Sequence, residues 1–229
     1  MNMTKRITGI LLAVSLLIAA AGAAGCKKAS IESFGKSNEG ILLYRDLALE
    51  DVLIDSFDES KLDFDEYRSL LDEEIGDYNR TNEFRPGDES KRSDKEPEYT
   101  APITVTKCEV SGGKLTQQLL YANVQDYLSY NEDVIEARGG SKLSCGTLAG
   151  VDTTILTADI VSPGKGERVD VQALCLAPNA GSYRYVIADF SAVLYGEGEV
   201  IGYSANGAYD AATNSVKVNG GEPVIVLYK

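Results

Sequence analysis

From residue 100 to the C-terminus, runs rich in Val, Ile, Thr and Tyr are separated by short breaks of Gly, Pro, Asn and Ser, and this punctuation limits the fold more than any other feature. The breaks are 111–114, 162–166, 177–181, 196–198, 205–207 and 219–221. Each holds residues that permit positive φ or fix a turn. Strands are therefore expected at 103–110, 115–121, 153–161, 168–176, 183–195, 199–204, 215–218 and 223–228. Gly112-Gly113 between two β-rich runs marks a hairpin. Regular strands of this length point to an antiparallel sheet or sandwich. No fixed repeat period is visible, which excludes a solenoid.

Upstream the periodicity changes. Residues 40–45 and 51–57 read as a hairpin around Leu47-Ala48-Leu49-Glu50. Phe64, Tyr67, Leu70, Leu71, Ile75 and Tyr78 then recur at helical spacing and predict an amphipathic helix over 64–79. Asp63 is placed to cap it, with Glu66 reaching back and Leu62 and Tyr67 as a staple. A shorter helix follows at 124–131, with Asn123 as its cap. The expected class is α+β: a mainly antiparallel β-sheet or sandwich with one long and one short amphipathic helix.

Residues 80–97 are nearly all polar or charged, as in an exposed loop or linker. They sit in a strongly acidic region: from Asp46 to Glu98 there are 19 acidic and 7 basic residues, a net of −12. The whole chain carries −13. Nucleic acid is excluded as a partner, since phosphate binding needs clustered Lys and Arg. The chain has no His and no Trp. Without imidazole, Ser-His-Asp, Cys-His and His-based metal chemistry are all unavailable.

The first residues are an address. Lys5 and Arg6 precede an uncharged run from Ile7 to Gly25 that ends in Ala23-Ala24-Gly25-Cys26. A positive start, an apolar middle and small residues before a break are the parts of a secretory signal. Small residues directly before Cys26 resemble the lipobox of bacterial lipoproteins. That resemblance implies cleavage after Gly25 and a diacylglycerol on the Cys26 sulfur. The expected organisation is a signal peptide at 1–25, a lipid-anchored tether at 26–39, a hairpin plus helix at 40–80, a charged loop or linker at 81–99, and a mainly β region at 100–229. Losing Lys5 and Arg6 with the signal takes the charge to −15 over 204 residues. Contact with membrane then runs through the lipid rather than through an acidic protein surface.

A second resemblance rests on Asp51 through Asp58, Asp63-Phe64-Asp65-Glu66-Tyr67, Glu74 through Asn79, and Leu120 through Asn131. Over roughly 40–131 the chain resembles a group of uncharacterised surface lipoproteins of Gram-positive anaerobes. This implies the extracytoplasmic face of the cell membrane and adds no site residue.

Candidate sites stand beside plainer readings. Asp72, Glu73, Glu74 and Asp77 have the chemistry of glycosidase carboxylates, but a solvated helix face explains them more simply. Asp55, Asp58, Glu59, Asp63 and Asp65 crowd one junction like calcium ligands, without EF-hand spacing. Cys108, Cys145 and Cys175 allow one disulfide in any of three pairings, or buried thiols; Cys175 is expected within a buried strand. Tyr183, Tyr185, Tyr195, Tyr203, Tyr209 and Tyr228 are candidates for a peptide- or glycan-binding surface. The functional expectation is a membrane-anchored, non-enzymatic binding or interaction module. Its candidate ligands are a cationic peptide, a metal ion or a glycan, with Cys26 as the lipidation site and no catalytic residue. The alternative is a carboxylate-dependent hydrolase of cell-wall or imported glycans, which requires two buried, facing carboxylates.

Overall fold

The computed structural model describes residues 34, 39–92, 96–156 and 158–229. The signal segment, Cys26 and the tether other than residues 34 and 39 lie outside the described residues.

Among the described residues, twelve strands and four α-helices follow in the order β1 (Gly40–Leu43), β2 (Leu49–Ser56), α1 (Phe64–Thr81), β3 (Ile103–Ser111), β4 (Lys114–Tyr121), α2 (Val124–Tyr130), α3 (Glu132–Ala137), β5 (Leu143–Thr147), β6 (Ile160–Val161), α4 (Val171–Leu176), β7 (Arg184–Ala188), β8 (Ser191–Gly196), β9 (Val200–Ser204), β10 (Ala208–Asp210), β11 (Ser215–Asn219) and β12 (Val224–Tyr228). The first sheet has the order β10-β11-β8-β1-β2-β4-β3, the second β5-β7-β12-β9-β6. Every neighbouring pair is antiparallel except β1 and β8. The fold is an α+β sandwich of two mostly antiparallel sheets.

Why these strands take these places follows from their side chains. Gly40-Ile41-Leu42-Leu43 and Val224-Ile225-Val226-Leu227-Tyr228 are buried at every position, and each lies in the interior of its sheet. An unbroken apolar run needs cover on both faces. Ile41, Leu43 and Leu119 meet Val186, Val224 and Val226 between the sheets, with Leu71 and Ile75 of α1 and Tyr127 of α2 closing the same core. Phe34 and Tyr99 cover the outer face of the first sheet over Leu42, Val52 and Leu120. Leu148, Leu156 and Tyr183 cover the far face of the second over Ile225 and Leu227. Each fully buried Leu or Ile contributes roughly 2 kcal/mol. The edges carry the mixed patterns: β10 is exposed at both ends.

The Gly112-Gly113 turn is as expected, with φ of +60° and +73°, which suits the twist of a two-residue hairpin. The first hairpin also forms, Ile41 facing Asp51 and Leu43 facing Leu49.

Several expected strands are not strands. Residues 168–176 hold α4, whose Asp170 cap accepts from the Ala173 amide at 3.0 Å. Within 153–161, Thr153–Ile155 form a 3₁₀ turn, and among the described residues only Ile160 and Val161 pair as a strand. The run 183–195 is two strands in different sheets, broken at Asp189, whose carboxylate accepts from the Ser141 and Lys142 amides at 2.8 Å each. Helices α3 and α4 and strands β5 and β10 were not expected. The described residues of 80–97, 80–92 and 96–97, are also more tied down than their composition suggests. The Asp88 amide donates to the Asp46 carbonyl at 3.0 Å, and Phe84 meets Tyr99 edge-on. Phe34, within the expected tether, packs edge-on against Tyr195 with ring centroids 5.4 Å apart.

Candidate functional site

The acidic shoulder of the molecule is built on α1. Asp63 holds the start of the helix, its Oδ1 accepting from the Asp65 and Glu66 amides at 2.8 and 3.1 Å. The helix is docked by three contacts. Leu71 and Ile75 are buried; the Tyr67 hydroxyl donates to Gln117; and Asn79 exchanges two hydrogen bonds with the backbone of Ile103. Leu70 does not join this stripe: it is 41% exposed, because it lies a full helical step around from Leu71. Leu62 is likewise exposed, and Tyr67 packs against Phe57 with ring centroids 6.2 Å apart.

The outer side of this unit is acidic with isolated apolar points. Asp58, Glu59, Asp63, Asp65, Glu66, Asp72, Glu73 and Asp77 are all exposed. Lys61 pairs with Asp58 at 2.8 Å, Arg68 with Asp72 at 3.0 Å, and Arg80 with Asp77. Hydrogen bonds from Lys61 and Ser60 hold the Asp58 carboxyl down at about 2. Among the described residues Glu59, Asp65, Glu66 and Glu73 have no basic partner. Glu59, Leu62, Asp63, Phe64 and Asp65 line a shallow open depression at the start of the helix. Its carboxylates do not gather as ligands: Asp58 and Asp63 bind neighbouring amides, and among the described residues no group of three Cys, Asp or Glu could hold a metal ion.

A second set of carboxylates is inside the protein, where the sequence placed none. Asp46 accepts from the Ala48 amide at 2.9 Å and the Tyr99 hydroxyl at 2.8 Å. Glu50 accepts from Tyr44 at 2.6 Å and from Thr106, which a bulge in β3 aims at it. Burial, then the Glu50 charge, pushes the Tyr44 phenol far up. Glu197 accepts from the Arg45 amide at 3.1 Å and pairs with its guanidinium at 3.3 Å. Asp126 accepts from the Asn123 amide side chain at 2.7 Å, and burial raises its pKa. Asp51 differs: its Oδ1 is buried with no hydrogen-bond partner among the described residues. The signal for this group was local. Glu50-Asp51 lies inside an apolar strand, so alternation sends one carboxylate to each face of a central strand, and neither face is open.

The remaining candidates are structural. Tyr183, Tyr185, Tyr195 and Tyr228 are buried, which removes them from any binding surface; Tyr203 and Tyr209 alone of the six are partly exposed, stacked at 5.7 Å. Cys108, Cys145 and Cys175 are free thiols. Burial pushes Cys145 up to about 12. Cys175 sits on α4 beside Leu176, which is 85% exposed, rather than in a buried strand.

No family model, curated protein or solved structure matches this chain.

Proposed function

We propose that the chain is a lipoprotein anchored through Cys26 at the extracytoplasmic face of the cell membrane, where it acts as a non-enzymatic binding module for cationic partners. The observation that carries the binding role is the outer side of α1 and its junction: Glu59, Asp65, Glu66 and Glu73, without basic partners among the described residues, interspersed with exposed Leu62 and Leu70. Such a surface suits a basic peptide with apolar side chains between its charges. Negative potential speeds its arrival, and the leucines add a contact that salt does not screen. The anchor rests on the sequence of residues 5–26 and on the two resemblances given above.

Hydrolysis is favoured less. Asp46, Glu50 and Glu197 are committed to donors of their own chain, whereas a glycosidase needs two carboxylates facing each other across a sugar.

The test is titration of a Lys- and Leu-rich peptide into the protein and into an Asp65→Asn, Glu66→Gln, Glu73→Gln variant. Exposed charge pairs are worth roughly 0.2 to 1 kcal/mol each, so the variant should bind about tenfold more weakly, with a shallower salt dependence. Equal affinity for the two proteins at low salt would refute this site.

A further inference from the structure

The edge strand β3 turns alternate backbone groups away from its sheet, and the hairpin fixes which ones. Ser111 and Lys114 flank a two-residue turn and exchange both of their backbone bonds, so the bonds to β4 fall at Ser111, Glu109 and Lys107. Cys108 and Val110, between them, point their N–H and C=O groups outward. Past the bulge between Val105 and Lys107 the same direction recurs at Ile103, where it is filled: the Asn79 side chain accepts from the Ile103 amide at 2.9 Å and donates to its carbonyl at 2.8 Å. Among the described residues nothing bonds the outward groups of Cys108 or Val110. An edge open in this way is a template for another strand.

Helix α1 overhangs that edge. One end reaches it through Asn79, and toward the other the Tyr67 hydroxyl donates to Gln117, the β4 partner of Cys108, on the inner face of the sheet. At about 100° per residue, Asp65, Arg68 and Asp72 lie within about 40° of Asn79 around the helix, so the flank above the edge carries two carboxylates and one guanidinium. Arg68 pairs with Asp72 at 3.0 Å, and Asp65 has no basic partner among the described residues. Lys107 and Glu109 project to the opposite face of β3, where they pair at 2.8 Å. The Lys that commonly guards an edge strand is here turned away from α1 and neutralised.

An antiparallel strand laid beside β3 sets one residue opposite Cys108 and another opposite Val110. Those residues exchange backbone bonds with the edge and send their side chains to the inner side, toward α1; the residues alternating with them face the other way. We propose that the open part of the β3 edge, residues 107–111, takes an extended segment of a partner protein as an added antiparallel strand, with basic side chains at alternate positions directed at Asp65 and Asp72. Backbone bonds hold such a segment, and charge at every second residue selects it. This rests on the reading of the α1 surface as a site for basic peptides, and adds to it the conformation of the peptide and the spacing of its charges.

The test uses the full chain and a short peptide of alternating Lys and Thr. In the added strand the Lys amides face β3 and the Thr amides face solvent, so N-methylation of the Lys residues should weaken binding about tenfold, and N-methylation of the Thr residues should leave it near the parent value. Bound peptide should slow hydrogen exchange at the Cys108 and Val110 amides. Val110→Pro removes one outward donor without touching a bond to β4, and should lower affinity about fivefold. If that variant does not fold, the two methylated peptides decide. Equal affinity of both methylated peptides, with binding still weakened by Asp65→Asn, Glu66→Gln, Glu73→Gln, would overturn strand addition and leave the α1 site standing; no binding of any peptide would overturn both. Slow exchange at the same two amides that grows with protein concentration in the absence of peptide would make a second copy of β3 the occupant and overturn the proposal.

Discussion

Tyr99 holds an irregular segment to a sheet with one oxygen. Its hydroxyl donates to Asp46 at 2.8 Å and accepts from the Gly87 amide at 3.1 Å, while Arg92 lies 4.4 Å over its ring. Removing that oxygen leaves a buried carboxylate oxygen and a backbone amide unpaired, so Tyr99→Phe should cost about 1 to 3 kcal/mol. The pH dependence has a definite sign. Burial first, then the hydrogen bond to and charge of Asp46, push Tyr99 up to about 12, against about 10 for an unfolded tyrosine. The folded state thus favours the neutral phenol. Its contribution is full below pH about 10 and is lost as pH rises through about 12. Urea unfolding from pH 8 to 12 should show wild type losing stability at the alkaline end and Tyr99→Phe losing less. Identical alkaline slopes would mean that Tyr99 is not a linked group. Tyr67 and Tyr78, also raised by burial to about 12, and the more deeply buried Tyr44, Tyr121, Tyr127 and Tyr228, raised further, contribute to the loss that remains in the variant.

Between helix and sheet, Asn79 does comparable work. Its side-chain amide presents a donor and an acceptor to Ile103, at 2.8 and 2.9 Å, as a neighbouring strand would. It thereby fastens the last turn of α1 to the first residue of the edge strand β3. Asn79→Ala should cost about 2 kcal/mol and lower Tm by several degrees. Thermal melting of the two proteins measures it, and an unchanged Tm would show that solvent replaces both bonds at no cost. The helix itself was legible because its apolar spacing runs over four turns and starts at a cap, Asp63. The bond to Ile103 was not, since a polar residue near a helix end carries no mark of its partner. Length explains α4 as well. Val171-Gln172-Ala173-Leu174-Cys175-Leu176 is too short for periodicity to separate helix from strand, and the evidence that decides it is the Asp170 cap. Asp189 inside 183–195 was a readable warning of a turn, because a carboxylate in a buried strand needs donors, and here it finds them in Ser141 and Lys142.

On the scale of the whole molecule, the sandwich places opposite kinds of acidity on opposite sides of its surface boundary. Exposed carboxylates crowd α1 and its junction, while Asp46, Glu50, Asp51, Asp126 and Glu197 sit inside among tyrosines, arginines and backbone amides. Composition made the first group legible, since a net of −12 between residues 46 and 98 has to reach solvent somewhere. It could not separate out the second, because a carboxylate on a central strand is sorted only by which sheets cover it. The proposed role joins that acidic body to an anchor at Cys26, and attachment is the claim on which its setting depends. Cells expressing wild type or Cys26→Ala are labelled with a palmitate analogue, and the protein is then recovered by fractionation. Label on the wild-type chain alone, with the variant lost from the membrane fraction, is the predicted result; equal labelling of both, or wild type recovered unlabelled from the cytosol, would contradict it.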